Sequence, residues 1–287
     1  MNSASPKVKS AGTAKWNAAE YAANSSVQQT WARELIANLD LRGDEHILDV
    51  GCGDGKVTAE LARAVSKGSV AGIDASAEMI SFAEKTFPKS CVPNLEFHVM
   101  DAREIKFARK FELVFSNAAL HWVDDHQKFL AGAAAVLRPG GRLVVSCGGK
   151  GNAQDVFVAL RPELRAKPWR EYFRQIPEPY FFYTPDEYKK WLEKAGFKTR
   201  VLRLTPKDAA YPGAEGFAAW LRTTWMPYVQ RVPEDLREEF IAAITRRYVA
   251  KHPPDAKNNV YVKMVRLEID AVKSSGGVGE SRIMKTL

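Results

Sequence analysis

Ile47-Leu48-Asp49-Val50-Gly51-Cys52-Gly53-Asp54-Gly55 is the stretch on which the fold of this chain turns. The apolar run from His46 to Val50 predicts a short buried strand, and a helical pattern opens at Lys56 with Val57, Leu61 and Val65 on one face. Between them, glycines at 51, 53 and 55 admit positive φ and let the backbone approach a ligand closely. The helix start behind the turn offers unpaired N–H groups. This is a nucleotide-binding turn, yet it departs from the dinucleotide pattern G-x-G-x-x-G, because the third glycine comes one residue early. Asp49 and Asp54 flank it, and those carboxylates repel a pyrophosphate but not a cationic or zwitterionic ligand.

Outward from the turn, apolar runs at 69–73, 95–100, 111–116 and 143–147 predict further strands, with helical patterns between them. Ser76 caps a helix holding Met79, Ile80 and Ala83, and a later helix carries Phe129, Leu130 and Val136 before Pro139-Gly140-Gly141. Strand and helix alternating in this way give an α/β fold with a doubly wound, mostly parallel sheet. Ligands of such sheets sit at the carboxyl ends of the strands, where Asp49, Gly51, Asp74, Asp101 and Asn117 all fall. A helical pattern from Ala18 to Leu39 precedes the core. After it come an aromatic stretch (169–183), a helix from Asp186, a strand at 197–204, helices at about 214–226 and 234–250, and a last strand at about 260–269. The resulting division is a nucleotide-binding core at 15–150, completed by 184–204 and 258–272 into seven strands. Residues 151–183 and 205–257 form a helical cap, and 1–14 and 273–287 are disordered tails.

Bulk properties narrow the function. The chain has 287 residues and ordinary apolar and charged fractions, and no run of about 18 apolar residues that could span a membrane. Of the formal charge of +8, Lys7, Lys9 and Lys15 carry +3 and residues 272–287 a net +2. The body is only mildly basic, which argues against a nucleic-acid face. Three cysteines without a CxxC point to reduced thiols and a cytoplasmic setting. A small-molecule partner and a monomer or weak dimer are expected.

The glycine turn resembles motif I, D-x-G-x-G-x-G, of the class I S-adenosylmethionine (SAM)-dependent methyltransferases, with Asp49, Gly51, Gly53 and Gly55 in every position. The resemblance implies a Rossmann-like seven-stranded fold with SAM as cofactor and S-adenosylhomocysteine (SAH) as product. It implies that Asp74, with Ala75 beside it, holds the ribose, that Asp101-Ala102 meets the adenine amino group, and that Met79 packs on the adenine ring. Asn117-Ala118-Ala119 replaces the N-P-P-[FY] run of DNA adenine methyltransferases and so disfavours a flipped base. The loop from Ser116 to Trp122 is similar to that of trans-aconitate and juvenile hormone acid methyltransferases, and Tyr21 to Gln28 resembles a Y-x-x-x-S-x-x-Q segment of the latter. That likeness implies that Gln28 and Trp122 hold a substrate carboxylate. Tyr21 is a further substrate-binding candidate, and so is Trp225 of the aromatic cap, which must face the carboxyl ends of the strands.

A carboxylate acceptor is already ionised at neutral pH and needs positioning rather than a base. Methyl-ester formation is therefore the expected reaction, with His121, Gln28 and Trp122 as catalytic candidates. The alternative is a hydroxyl, amine or carbon acceptor with His121 as general base. A SAM-binding protein without catalysis and an RNA or protein methyltransferase stand further off. Arg161 and Arg222 are possible anion partners. The cluster His121, Asp124, Asp125 and His126 is expected to be a helix cap rather than a metal site.

Overall fold

The computed structural model describes residues 16–24 and 26–274, and for residues 23, 24 and 26–28 the backbone only. The tails expected at 1–14 and 273–287 lie outside these residues, save Lys273 and Ser274.

Seven strands form one sheet: β1 (His46–Val50), β2 (Ser69–Asp74), β3 (Leu95–Val99), β4 (Phe111–Asn117), β5 (Leu137–Gly148), β6 (Phe197–Pro212) and β7 (Asn259–Lys273). Their order is β3-β2-β1-β4-β5-β7-β6. β1 to β5 pair in parallel, and β7 lies antiparallel between β5 and the edge strand β6. The order reverses at β1, between β2 and β4, so the glycine turn leaves the sheet at the crevice where such folds take up ligands.

Helices α1 (Ala18–Asn24) and α2 (Ser26–Ala37) precede the sheet, and α3 (Lys56–Ala64), α4 (Ala77–Thr86) and α5 (His126–Val136) connect its parallel strands. Ile47, Leu61, Val70, Ile80 and Phe115 meet in the core on one face of the sheet, and Leu48, Ile73, Phe129, Val145 and Tyr188 in that on the other. α6 (Gln154–Arg165), α7 (Pro185–Lys194), α8 (Gly213–Thr224), α9 (Met226–Val229) and α10 (Arg237–Val249) follow. α6, α8, α9 and α10 build a third core with Trp169, Phe217, Trp220, Phe240 and Tyr248.

Three elements differ from expectation. The helix expected at 18–39 is described as α1 and α2, with residue 25 outside the described residues, and it ends at Ala37. α5 ends at Val136 and β5 begins at Leu137 rather than Leu143, since Arg138, which precedes Pro139, avoids the helical region. β6 runs to Pro212 rather than Leu204, in unbroken register from Thr205↔Arg266 to Pro212↔Asn259. Pro206 and Pro212 are tolerated because β6 is the edge strand and one side of its backbone needs no ladder partner. The β6–β7 ribbon thus reaches past the sheet, where Ala209, Tyr211, Val260 and Val262 enter the cap core.

Candidate active site

The three glycines of the turn all have positive φ, 75°, 52° and 79° at Gly51, Gly53 and Gly55. Their surroundings separate them. A Cβ on Gly51 would lie 2.1 Å from the Ala119 Cβ, and one on Gly55 2.8 Å from the Phe97 ring. A Cβ on Gly53 would meet nothing nearer than the Tyr21 ring at 3.9 Å. Gly51 and Gly55 are therefore demanded by packing, whereas Gly53 faces open space along the ligand crevice.

Asp74 is set by backbone. Its Oδ2 accepts from Gly53 N at 3.0 Å and its Oδ1 from Ser76 N at 2.8 Å, so the carboxylate is pinned beside the open glycine. Burial raises its pKa, and the two amide bonds act in the opposite direction. Asp49 is buried under the same loop and accepts from Thr58 Oγ1 at 2.8 Å. Burial pushes its pKa up to about 7, against the Thr58 bond and with a further push from Asp74. Asp54 is ion-paired with Lys56 at 3.1 Å, and Lys56 also donates to the Ala22 carbonyl of α1.

Past the second strand, Ala75 is exposed and Met79 is buried on α4, whose Ser76 caps it through Met79 N. Asp101 is paired within its own turn. Both its oxygens accept from the Arg103 guanidinium, at 2.9 and 2.6 Å, and Arg103 also bonds Asp124 at 2.8 Å. Arg103 holds the Asp101 carboxyl below its usual range despite partial burial. Ala102 is half-buried in the turn that follows.

Two cavities meet at Tyr21 and Ala118. One, of about 50 Å³, is lined by Asp49, Gly51, Gly53, Asp54 and Asn117. The other, of about 70 Å³, is walled by His121, Trp122, Tyr180, Phe182, Trp225 and Met264. Trp16 closes it, edge-on to Trp122 at 5.2 Å and to Tyr21 at 5.4 Å. Desolvation raises the Tyr21 hydroxyl pKa, helped by Asp54 and Asp74. Of the acceptor-site candidates, Tyr21, Trp122, Trp225 and His121 therefore converge. Gln28 lies in α2, and its side chain is outside the described residues.

His121 does not have the environment of a base. Gly148 N donates to its Nδ1 at 3.4 Å, which leaves the proton of the neutral ring on Nε2. Desolvation, followed by the charges of Arg266 and His126, pushes its pKa down to about 3. His126 is structural: Tyr188 Oη meets its Nδ1, and its Nε2 bonds the Leu120 carbonyl at 2.7 Å. Asp125 caps α5 through Lys128 N. Among the described residues no three His, Cys, Asp or Glu side chains converge as a metal site.

The two candidate arginines point elsewhere. Arg222 bonds Glu238 at 2.8 and 2.6 Å in an outer polar cavity, and Arg161 lies over the Phe157 ring at 5.9 Å. The residue missed is Arg266. It is 5% exposed and opposite Gly148 in the β5–β7 ladder. It donates to Ser146 O at 2.6 Å, Ser146 Oγ at 3.1 Å and Asn117 Oδ1 at 3.3 Å, with its guanidinium 5.2 Å from the Trp31 ring. Among the described residues no carboxylate lies within 4.0 Å of it.

No helix among the described residues is long and apolar enough to cross a membrane. A methyltransferase-domain family model matches residues 47–141, from β1 into the start of β5. The chain is 36% identical over 186 residues to the uncharacterized methyltransferase C70.08c of Schizosaccharomyces pombe, spanning 63% of this chain and 70% of that protein. It is 29% identical over 265 residues to a trans-aconitate 2-methyltransferase of Agrobacterium fabrum, spanning 90% of this chain and 99% of that one. Its fold is similar to that of Haemonchus contortus phosphoethanolamine N-methyltransferase 2 solved with SAM, with a TM-score of 0.56 at 17% identity over 90% of this chain and 56% of the other. With motif I complete and its strand-end acids in place, the chain belongs to the class I SAM-dependent methyltransferases.

Proposed function

We propose that this enzyme methylates a carboxylate oxygen of a small acceptor, forming a methyl ester. The observation that carries it is the state of His121. A buried ring whose Nδ1 accepts from Gly148 and whose pKa is pushed down to about 3 is poorly suited to take a proton from an alcohol, which disfavours the alternative with His121 as base. A carboxylate needs no base: one of its oxygens displaces the sulfur at the methyl carbon, the C–S bond breaks, and sulfonium and carboxylate charges are both neutralised. The name of the Agrobacterium fabrum relative, whose substrate is a carboxylic acid, agrees with this.

SAM supplies a methyl group activated by its sulfonium. In the proposed site Asp49 and the open face at Gly53 receive its amino-acid end, Asp74 the ribose diol, and Ala75, Met79 and the Asp101-Ala102 turn the adenine. The fit rests on the pinned Asp74 carboxylate and on the vacant Cβ direction at Gly53. Asp101 would meet the base while still paired with Arg103. Tyr21 and Ala118, which border both cavities, mark where the methyl group crosses. Among the described residues the Trp122 indole N–H has no hydrogen-bond partner and is free to donate to the acceptor, with Gln28 its proposed companion.

The test is a methyl-transfer screen with labelled SAM over small acids, alcohols and amines, followed by alkaline treatment of the product. A methyl ester releases its label as methanol, whereas a methyl ether or methylamine retains it. Label stable to alkali would overturn the carboxylate assignment.

A further inference from the structure

We infer, on the carboxylate reading proposed above, that the acceptor is a small monocarboxylic acid with an apolar body, not a di- or tricarboxylate. The cavity is aromatic on most sides, with Tyr180 and Phe182 stacked 5.8 Å apart at 5° and Trp225 edge-on to Tyr180 at 5.4 Å. Its polar groups are few and mostly engaged. The Tyr180 hydroxyl donates to Thr224 O at 2.8 Å, and Thr224 Oγ1 to Trp220 O at 2.6 Å. Asn152 Oδ1 accepts from Val265 N at 2.9 Å, which leaves the amide NH₂ as its donor. With the Nε2–H of His121 and the Trp122 indole N–H, the cavity offers a small set of neutral donors, and His121 marks the end that feels Arg266.

Cations are placed differently. Among the described residues lining the cavity there is no lysine or arginine. The positive charge that reaches this end is Arg266, buried behind Ser146 and Asn117 and felt at His121. One delocalised negative charge, met by neutral donors in the field of one guanidinium, is compensated there. A second carboxylate on the same molecule would lie against aromatic rings without a cation or donor, an arrangement that strongly disfavours binding. Size points the same way. The cavity, at about 70 Å³, is about half of one that takes up benzene, so the body that follows the carboxylate is short and sheds water easily.

The experiment uses the full chain with labelled SAM and a matched panel. It contains short saturated and unsaturated monocarboxylates, the di- and tricarboxylates of similar carbon length (trans-aconitate included), and the alcohol, amine and carboxamide counterparts of each monoacid. Calorimetry of the same compounds in the presence of SAH reports binding without turnover. We expect monocarboxylates to exceed the polycarboxylates by about 100-fold or more in kcat/KM, a difference of two factors of ten in transition-state binding. A polycarboxylate used as well as or better than every monoacid would overturn this inference and leave methyl-ester formation standing. Preference for alcohols or amines would overturn the carboxylate reading and the inference with it. Failure of every monoacid to bind beside SAH would overturn the inference directly.

Discussion

A β-carbon added to Gly51 would lie 2.1 Å from the β-carbon of Ala119, so the cofactor turn and the acceptor loop are in direct contact. The contact joins the end of β1 to the end of β4, and substitution on one side is felt on the other. We expect Gly51→Ala to destabilise the fold by about 2–4 kcal/mol, combining overpacking with the strain of a left-handed φ. Gly53→Ala meets nothing within 3.9 Å and should lose only about 1–2 kcal/mol while lowering SAH affinity. Thermal melts with and without SAH separate the two: Gly51→Ala lowers the melting temperature of the free protein, Gly53→Ala mainly lowers the shift given by ligand.

Asp74→Asn keeps one acceptor oxygen for the Gly53 or Ser76 amide but loses the second. We expect SAH affinity to fall by about 1–3 kcal/mol. The discriminating control is SAH lacking a ribose hydroxyl. Wild type should bind it more weakly than SAH, and the variant should bind the two alike. Equal discrimination by both proteins would remove Asp74 from the ribose site.

Asp49 gives a pH dependence with a defined sign. Its folded pKa is raised to about 7 from 3.8, so between these values the native state binds a proton that the unfolded chain does not. This group therefore favours the ligand-free fold as pH falls from about 7 towards 4, and disfavours it as pH rises. The ammonium of the ligand's amino-acid end, placed near Asp49, would stabilise the ionised form, so SAH binding should weaken below about pH 7 and release protons near that pH. Calorimetry in two buffers of different ionisation enthalpy measures the release, and Asp49→Asn should abolish it.

At saturating SAM, the rate on an acid acceptor should be flat from about pH 6 upward, because a free carboxyl titrates near 4 and His121 near 3. His121→Gln should change kcat by less than the 10²–10⁴ that loss of a general base brings. A rising limb at pH 6–7 that disappears in the variant would restore His121 as base.

Arg266→Met removes a buried charge that has no carboxylate within 4.0 Å among the described residues. Stability should change little, since the relieved desolvation offsets lost bonds to Ser146 and Asn117. The KM for the acid acceptor should rise about tenfold, the loss of one charge-assisted contribution. The His121 pKa, followed by NMR, should move up from about 3, since the Arg266 charge is one of its depressing causes. An unchanged His121 titration would show that the guanidinium does not act on this end of the cavity.

Much of this was written in the sequence. The glycine turn and the acids at strand ends follow from local pattern, and β1, β2 and β4 keep continuous apolar runs because these central parallel strands are buried on both faces. Arg266 was legible too, in retrospect: Val260, Val262 and Met264 point inward at period two, and Arg266 is the next position in that series. An apolar-run search passes over it because its charge interrupts the run. The pairing of Asp101 with Arg103 was within reach at two residues' separation, but nothing in the spacing shows that a guanidinium folds back on its own turn. The length of β6 was hidden by Lys207 and Asp208, whose side chains fit an edge strand as readily as a loop.

The β6–β7 ribbon runs from the sheet into the floor of the cap without a change of register after Val201. Such a ribbon is a splint rather than a hinge: bending it would break a ladder of hydrogen bonds. Met264, on that ribbon, lines the aromatic cavity, so this wall of the cavity is held in register with the sheet. The rings of Trp16 and Tyr21, which line the same cavity edge-on to each other, have no strand beneath them.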